Sequence, residues 1–187
     1  FDCCGKPVSE LGLEEQEEKI IRRINERLHV SGIQEIVMLC PNCYYFLKDK
    51  LEIQVLSIYE KLSQLGIGRK VEGEGRLFLP CPDREEQQWV SWLNPFFQQE
   101  PEIIKGTQCC GLGGCAGGKE PDLARDMACH VAEEGYKKVY TYCASCAGNL
   151  TRNGCKGVSH LLTEILDFHE QPDVARSMIN RMMTKFW

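Results

Sequence analysis

The sequence predicts an α/β fold in which two tandem copies of one unit each surround a parallel sheet with helices. Three observations support this prediction. A Cys-Cys-Gly motif followed later by Cys-x-x-Cys occurs twice. Helical and strand-like segments alternate along the chain, which is typical of parallel sheets. Each Cys-x-x-Cys motif directly follows a strand-like segment, at the position where open α/β sheets bind ligands.

The two copies also agree in spacing. The Cys-Cys pairs that begin at Cys3 and Cys109 are 106 positions apart, and the Cys-x-x-Cys motifs that begin at Cys40 and Cys143 are 103 apart. In each copy, seven residues separate a glycine from the Cys-x-x-Cys motif. An internal repeat of this kind indicates a repeated architecture.

We therefore predict two Rossmann-like repeats, residues 1–75 and 76–187. Segment 66–75, rich in glycine and charge, is the natural boundary between them. The second repeat includes a C-terminal helix, because apolar residues after Pro172 recur at helical spacing. We expect this helix to dock on the body of the protein with its methionines as core filler. The apolar residues are Val174, Met178 and Met182.

Each repeat contains a predicted helix followed by a predicted strand. Four glutamates between positions 14 and 18 favour the start of the first helix, and Pro121 with Asp122 favours the start of the second. The apolar faces at helical spacing are Ile20, Ile21, Ile24 and Leu28 in the first helix and Leu123, Met127 and Val131 in the second. The predicted strands are residues 33–39, 76–80 and 136–142, which end immediately before Cys40, Cys81 and Cys143.

The cysteines are the unusual part of the composition. Twelve of the 187 residues are cysteine, below the ~8–10% that marks a small disulfide scaffold. The chain is also long enough to bury a core without disulfide staples. Nine of the twelve lie in the two motif pairs or at Cys81. This clustering favours metal binding or redox chemistry over a disulfide framework.

Physical reasons connect these positions to a ligand site. Helices that begin at a Cys-x-x-Cys motif direct their positive ends towards the strand ends, which stabilises thiolates. Two cysteines separated by two residues can bind one metal ion or adjacent irons of a cluster. In a Cys-Cys-Gly turn both sulfurs can face one cluster, and the glycine permits the backbone angles that the turn needs.

The same residues allow other interpretations. Cys40-Pro41-Asn42-Cys43 alone could be a thioredoxin-like redox pair, but this leaves both Cys-Cys pairs unexplained. The glycine-rich run 111–118 lacks the Gly-Lys-Ser/Thr ending of a phosphate loop. A structural zinc module stays open, since four thiolates also suit tetrahedral zinc. Residues outside the motifs are expected to pack in the core: Cys115, Cys129, Cys155, His160, Trp89, Trp92, Phe96 and Phe97.

The arrangement Cys, Cys-Cys-Gly, Cys-x-x-Cys resembles the CCG cysteine-rich domain of heterodisulfide reductases. It is also similar to the iron–sulfur subunits of glycolate oxidase, lactate-utilisation and anaerobic glycerol-3-phosphate dehydrogenase systems. The resemblance covers nearly the whole chain as two copies. In the first copy the leading cysteine is expected some 28 positions before Cys3, which is upstream of Phe1. The second copy also carries Gly113-Gly114 and Val158-Ser159-His160-Leu161, as family members do.

The resemblance implies an iron–sulfur redox subunit whose partners are redox subunits or domains that carry flavin or ferredoxin-type clusters. The implied cofactor is a 4Fe–4S cluster, of a non-cubane type in heterodisulfide reductase, with zinc as the alternative in one or both sites. The implied activity is electron transfer, with disulfide reduction between two clusters as a further option. The implied cluster ligands are Cys81, Cys109, Cys110, Cys143 and Cys146, and the implied metal ligands of the first copy are Cys3, Cys4, Cys40 and Cys43.

The remaining composition argues against two classes of partner. The net charge is −5 and no basic run stands out, so nucleic acid is not an expected partner. No apolar run approaches the ~20 residues of a membrane span. We expect a cytoplasmic protein, with membrane association through a partner as the alternative.

Overall fold

The computed structural model describes residues 3–113, 116–168 and 172–183. Its contacts divide the chain into two compact units, and the second unit begins at Ile67. The division lies at the start of the glycine-rich segment 66–75. Most of that segment therefore belongs to the second unit, where Val71 forms a parallel bridge with Phe97.

The first unit has a two-stranded parallel sheet flanked by helices. Strands β1 and β2 pair from Glu35 opposite Gln54 to Met38 opposite Ser57. The elements are α1 (Lys6–Ser9), α2 (Glu14–Val30), β1 (Glu35–Met38), α3 (Pro41–Leu47), β2 (Gln54–Ser57) and α4 (Ile58–Leu65).

The second unit has a four-stranded parallel sheet with the strand order β4-β3-β5-β6. Its elements are β3 (Arg76–Leu77), α5 (Gln88–Leu93), β4 (Glu102–Ile103), α6 (Ala116–Lys119), α7 (Pro121–Glu133), β5 (Val139–Thr141), α8 (Ala144–Arg152), β6 (Val158–His160), α9 (Leu161–Ile165) and α10 (Ser177–Met183). Two 3-10 turns, Cys81–Asp83 and Asn94–Phe96, complete it.

The core of the second unit extends to the cysteine motifs. Phe78, Val139 and Leu150 are fully buried, and Cys110 and Cys146 belong to the same cluster of buried side chains. Trp89, Phe96 and Phe97 are also buried, as predicted, whereas Trp92 is only partly buried. The thiols of this unit therefore lie at the edge of a well-packed interior.

The predicted α/β class with parallel sheets and flanking helices is confirmed. Helices α2 and α7 and strands β1, β3 and β5 occur where the sequence predicted them, although the strands are shorter. Strands β2, β4 and β6 were not predicted. Their few residues carry no clear period, and pairing with a neighbouring strand rather than intrinsic propensity makes them strands.

Two predictions about buried helix faces were wrong. Leu123 of α7 is 54% exposed, and the helix buries Ala124 and Ala128 together with Val131, which was predicted. Small residues allow this helix to approach its neighbours closely. Met182 of α10 is 66% exposed and is therefore not core filler.

Two further points concern the helices. The side chain of Met178, also predicted to be core filler, lies outside the described residues. In the part of the chain that the structure describes, none of the helices combines the length and the apolar character that a membrane crossing requires.

Candidate metal centre

The candidate ligands of the second unit lie where the strand ends meet the loops that follow them. Cys81 begins the 3-10 turn after β3. Cys143 follows β5 and is the N-cap residue of α8, so Cys146 lies in the first turn of that helix. Because β3 and β5 are parallel neighbours, their carboxyl ends lie at the same edge of the sheet. This topology brings sequence-distant cysteines to one region.

Contacts between sulfurs join the five cysteines of this unit into one continuous series. The Cys81 thiol donates to Cys109 Sγ at 3.5 Å. Cys110 is hydrogen bonded to Cys109 on one side and to Cys146 on the other. Cys146 is in turn hydrogen bonded to Cys143. All five cysteines expected at this site are therefore brought together, in the order 81, 109, 110, 146, 143.

The thiols in this series differ in acidity. The hydrogen bond from Cys146 lowers the pKa of Cys110 to about 6. The same contact, together with the one to Cys143, raises the pKa of Cys146 well above its usual value. Cys81 is an exposed residue, but partial burial of its thiol and the neighbouring Cys109 raise its pKa to about 12. Cys110 is thus more readily converted than Cys81 or Cys146 to a thiolate, the form that binds metals.

Gly111 makes the turn after the Cys-Cys pair possible. Its φ is +84°, and a Cβ atom there would clash with the carbonyl oxygen of Ala124. Its backbone N–H donates to Cys109 Sγ at 3.3 Å. The glycine therefore lets the backbone approach α7, as the Cys-Cys-Gly pattern predicts. Its hydrogen bond to a sulfur was not predicted.

Polar side chains tie the cysteine loops to the rest of the second unit. The Asn149 side-chain amide, buried on α8, donates to the Cys110 carbonyl oxygen at 2.6 Å. The Arg84 guanidinium donates to the Thr107 carbonyl oxygen at 2.5 Å. Neither side chain was predicted to support the site. The available signal was a polar residue a few positions after a cysteine motif.

Asp83 and Tyr142 form a further link that was not predicted. The Tyr142 hydroxyl donates to one carboxyl oxygen of Asp83 at 2.5 Å, and both side chains are fully buried. Asp83 is the last residue of the turn that Cys81 begins, and Tyr142 immediately precedes Cys143. The contact therefore joins two loops that carry candidate ligands.

The first unit gathers its four candidate cysteines in a similar series. Cys4 is hydrogen bonded to Cys3 and to Cys43, and Cys43 is also hydrogen bonded to Cys40. The contacts with Cys43 lower the pKa of Cys4 and of Cys40 to about 6. The contact with Cys4 is the largest cause that raises the pKa of Cys43.

The loops of the first unit are tied together close to solvent. The Lys6 ammonium group, directly after the Cys-Cys-Gly motif, donates to the Asn42 side-chain oxygen at 2.6 Å. Gly5 has a φ of +92°, as its counterpart Gly111 has a positive φ. A Cβ on Gly5 would lie closest to Ile20 Cγ2, at 3.2 Å. The same turn is thus less tightly enclosed here.

The donor atoms suit a soft metal or an iron–sulfur cluster. Each unit presents only thiols in its series, and thiolate sulfur is the ligand that zinc and iron–sulfur clusters share. Within the described part of the chain, no group of three or more His, Cys, Asp or Glu side chains already has the arrangement of a metal-ion site. The described thiols are therefore neighbours joined by hydrogen bonds rather than a preformed metal-ion site.

The remaining candidates lie outside these series. Cys155 is buried, which raises its pKa, and Cys129 is partly buried near the Asn153 carbonyl oxygen. Burial lowers the pKa of His160 to about 4. Its Nδ1 accepts from the Leu162 N–H at 3.3 Å, so it caps α9. Cys155 packs in the core as expected, whereas Cys129 and His160 are only partly buried, and Gly114 and Cys115 lie outside the described residues.

Comparison with known families agrees with the geometry. The profile of the family described as CCG, cysteine-rich domain, matches residues 1–48 and 98–151. These two segments contain eight of the nine candidate ligands, and Cys81 lies between them. No curated protein matches the chain.

Proposed function

Since the chain belongs to the CCG cysteine-rich domain family, we propose that it is an iron–sulfur protein that transfers electrons. A domain of this family with two gathered sets of thiols indicates metal or cluster binding. The more specific proposal is a 4Fe–4S cluster in the second unit, held by Cys81, Cys109, Cys110, Cys143 and Cys146.

The observation that carries this proposal is the continuous series of five sulfurs in the second unit. Structural zinc takes four ligands, so a fifth thiol in contact with the others favours a cluster, including one of the non-cubane type. Burial of Cys110, Cys143 and Cys146 favours the same assignment, because a cluster set in the protein interior is shielded from solvent.

The chain's own residues would prepare the site. The hydrogen bond from Cys146 lowers the pKa of Cys110 to about 6, so this thiol gives up its proton to an incoming metal more readily than Cys81 or Cys146. The Gly111 N–H directs a hydrogen bond to Cys109 Sγ. Asn149 holds the Cys110 backbone. A bound cluster would supply reversible one-electron chemistry.

The first unit supports a second candidate function, zinc binding. Its described residues place four cysteines in one series: Cys3, Cys4, Cys40 and Cys43. Four thiolates are the ligand set of tetrahedral structural zinc. We propose that this site holds either zinc or a second cluster. Elemental analysis of variants that lack one site distinguishes the two.

The proposed partners are redox subunits or domains that carry flavin or ferredoxin-type clusters. They would deliver electrons to the second unit or accept them. Reduction of a disulfide is a narrower form of the proposal, in which the electrons are used at the cluster itself.

The proposal is tested by anaerobic reconstitution. Metal-free protein titrated with ferric iron and sulfide, with dithiothreitol as the reductant for half of the iron, should develop a broad absorbance at ~400 nm that saturates at about four irons per cluster. The absorbance should bleach when dithionite is added. A colourless product without bound iron would contradict the iron–sulfur assignment. Uptake of one zinc ion per site would favour a structural zinc-binding module instead.

A further inference from the structure

Asp83 is a carboxyl group set in the interior, two residues after Cys81. It is 0% exposed. One of its oxygens accepts from the Trp89 backbone N–H at 3.1 Å, and the other accepts from the Tyr142 hydroxyl at 2.5 Å. Burial of a carboxyl group costs free energy unless hydrogen bonds compensate it. Both oxygens have such a partner here.

These hydrogen bonds connect the two sides of the candidate cluster site. Asp83 closes the turn that begins at Cys81. Tyr142 is the residue before Cys143, and its ring stacks on Trp89 with centroids 5.8 Å apart and planes 19° apart. The stacking fixes the ring, so the hydroxyl has a defined direction. Movement of the Cys81 turn away from the Cys143 loop would break the contact.

Arg84, the residue after Asp83, makes a second set of contacts that hold the Cys81 turn. Its guanidinium donates to the Thr107 carbonyl oxygen at 2.5 Å and lies over the Phe78 ring at 5.4 Å. Thr107 is two residues before Cys109. Asp83 therefore contacts the loop that carries Cys143, and Arg84 contacts the loop that leads to Cys109.

The first unit offers an internal contrast. The residue before its Cys-x-x-Cys motif is Leu39, which is 55% exposed and cannot form a side-chain hydrogen bond. The corresponding Tyr142 is 0% exposed. A strand can therefore end at a Cys-x-x-Cys motif without a tyrosine before it. The hydroxyl of Tyr142 thus has a role in the second unit that the motif itself does not require.

We infer that Asp83 and Tyr142 are a positioning pair that holds the Cys81 turn in register with the Cys143–Cys146 motif. Neither residue is a ligand; each acts through the cysteine near it in the chain. The inference rests on the proposed function of these cysteines as ligands. Hydrogen bonds outside the ligand shell orient ligands and affect how tightly a metal is held.

Three variants separate positioning from general stability. Asp83→Asn keeps the shape of the side chain but presents an amide in place of one accepting oxygen. Tyr142→Phe removes the hydroxyl and keeps the ring that stacks on Trp89. Tyr140→Phe is the matched control, because Tyr140 is a buried tyrosine of β5 whose hydroxyl donates to the Glu72 carbonyl oxygen at 2.7 Å, away from the cysteines.

The first readout uses protein loaded with iron and sulfide. Asp83→Asn and Tyr142→Phe should each lose iron to a ferrous chelator about 10-fold faster than the unaltered protein. Their reduced-state electron paramagnetic resonance spectra should also change. The double variant should lose iron no faster than Asp83→Asn alone, because the contact between the two residues is already broken in that variant. Tyr140→Phe should match the unaltered protein.

The second readout needs no cluster. In metal-free protein, the oxidant diamide takes two electrons and two protons from a pair of thiols and leaves a disulfide. Cys81 and Cys109, 3.5 Å apart, should form this bond readily. A loosened turn should slow the reaction at least about threefold in the Asp83→Asn and Tyr142→Phe variants, because the thiols are less well aligned. Peptide mapping identifies the bond.

The outcomes distinguish the two proposals. If the unaltered protein binds iron but all variants keep its spectra, chelation rate and disulfide rate, the positioning role is overturned and the cluster assignment stands. If neither the variants nor the parent bind iron, the proposed function fails, and the disulfide rates alone decide the positioning role. If Tyr140→Phe behaves like the other two variants, the pair contributes only stability and the inference is wrong.

Discussion

The residue before the Cys-x-x-Cys motif is an exposed leucine in the first unit and a buried, hydrogen-bonded tyrosine in the second. The cysteines follow the same difference. Cys4, Cys40 and Cys43 are partly buried, whereas Cys110, Cys143 and Cys146 are buried. One motif therefore sits in two environments. The motif sets which atoms can bind, and the surrounding unit sets how firmly and how far from solvent they are held.

The strongest effect is expected when the second cysteine of each Cys-Cys pair is removed. Cys110→Ser should abolish iron binding in the second unit, because the series of sulfurs is broken at its centre and serine is a poor ligand for soft metals. Cys4→Ser should leave the second unit loaded and remove only the metal of the first. Iron, sulfide and zinc analysis of both purified variants checks this. Equal iron loss in the two variants would contradict the proposal that the iron is bound in the second unit by a site independent of the first.

The glycines after the Cys-Cys pairs should differ in their tolerance of a side chain. Gly111→Ala should destabilise the second unit by about 3 kcal/mol or more, since strain at positive φ adds to a clash with the Ala124 carbonyl. Gly5→Ala should cost the first unit about 1–2 kcal/mol, mainly from the positive φ.

Denaturant unfolding followed by tryptophan fluorescence reports on the second unit, because all three tryptophans follow Ile67. Hydrogen exchange measures the first unit. A smaller cost for Gly111→Ala than for Gly5→Ala would contradict the tighter enclosure of the second site.

The next largest difference is expected between the side-chain hydrogen bonds that hold the cysteine loops of the two units. Asn149→Ala leaves the buried Cys110 carbonyl without its donor and should cost about 1–3 kcal/mol of unfolding free energy. Asn42→Ala removes the partner of Lys6 near solvent and should cost about 0–1 kcal/mol. In metal-free protein, denaturant unfolding followed by tryptophan fluorescence measures the cost of Asn149→Ala, and hydrogen exchange measures that of Asn42→Ala. Similar losses of unfolding free energy would contradict the expectation that the buried Asn149 hydrogen bond contributes more than the Asn42 hydrogen bond.

The weakest effect concerns thiol reactivity in the metal-free protein. The pKa of both Cys4 and Cys110 is lowered to about 6 by a hydrogen bond from the neighbouring thiol. Their thiolates are therefore present above that pH and lost below it. Alkylation of Cys4 by iodoacetamide should level off by about pH 7, unlike that of an ordinary thiol with a pKa of ~8.5.

Cys110 should react more slowly than Cys4 at every pH, because it is only 3% exposed. Mass spectrometry of the labelled peptides gives both rates. A Cys4 rate that still rises strongly above neutral pH would contradict the lowered pKa, and faster labelling of Cys110 would contradict its burial.

The parts of this fold that depend on regular patterns are predictable from the sequence. The acidic first turn and the apolar spacing of α2 locate that helix, and the cysteine motifs locate the ends of β1 and β5. Strand β4 has only two residues, Glu102–Ile103, and pairing with β3 alone defines it. The buried face of α7 was misjudged because Leu123 is the larger apolar residue, whereas close packing selects Ala124 and Ala128.

The candidate site also has a part that the sequence predicts and a part that it does not. Motif spacing anticipates the two groups of cysteines, because each motif lies at a strand end or in a turn fixed by glycine. The supporting residues could not be predicted. Asp83 and Tyr142 are 59 positions apart, and Cys110 and Asn149 are 39 apart. No periodic pattern relates such pairs; only the folded sheet makes them neighbours.

An iron–sulfur cluster in the second unit can be sought in protein whose first site is disabled. A Cys43→Ser variant is purified without oxygen and examined by Mössbauer spectroscopy together with iron and sulfide analysis. We expect about four irons and four sulfides per chain, with the quadrupole signals of a 4Fe–4S cluster. One zinc ion per chain, with neither iron nor sulfide, would contradict the assignment of a cluster to the second unit.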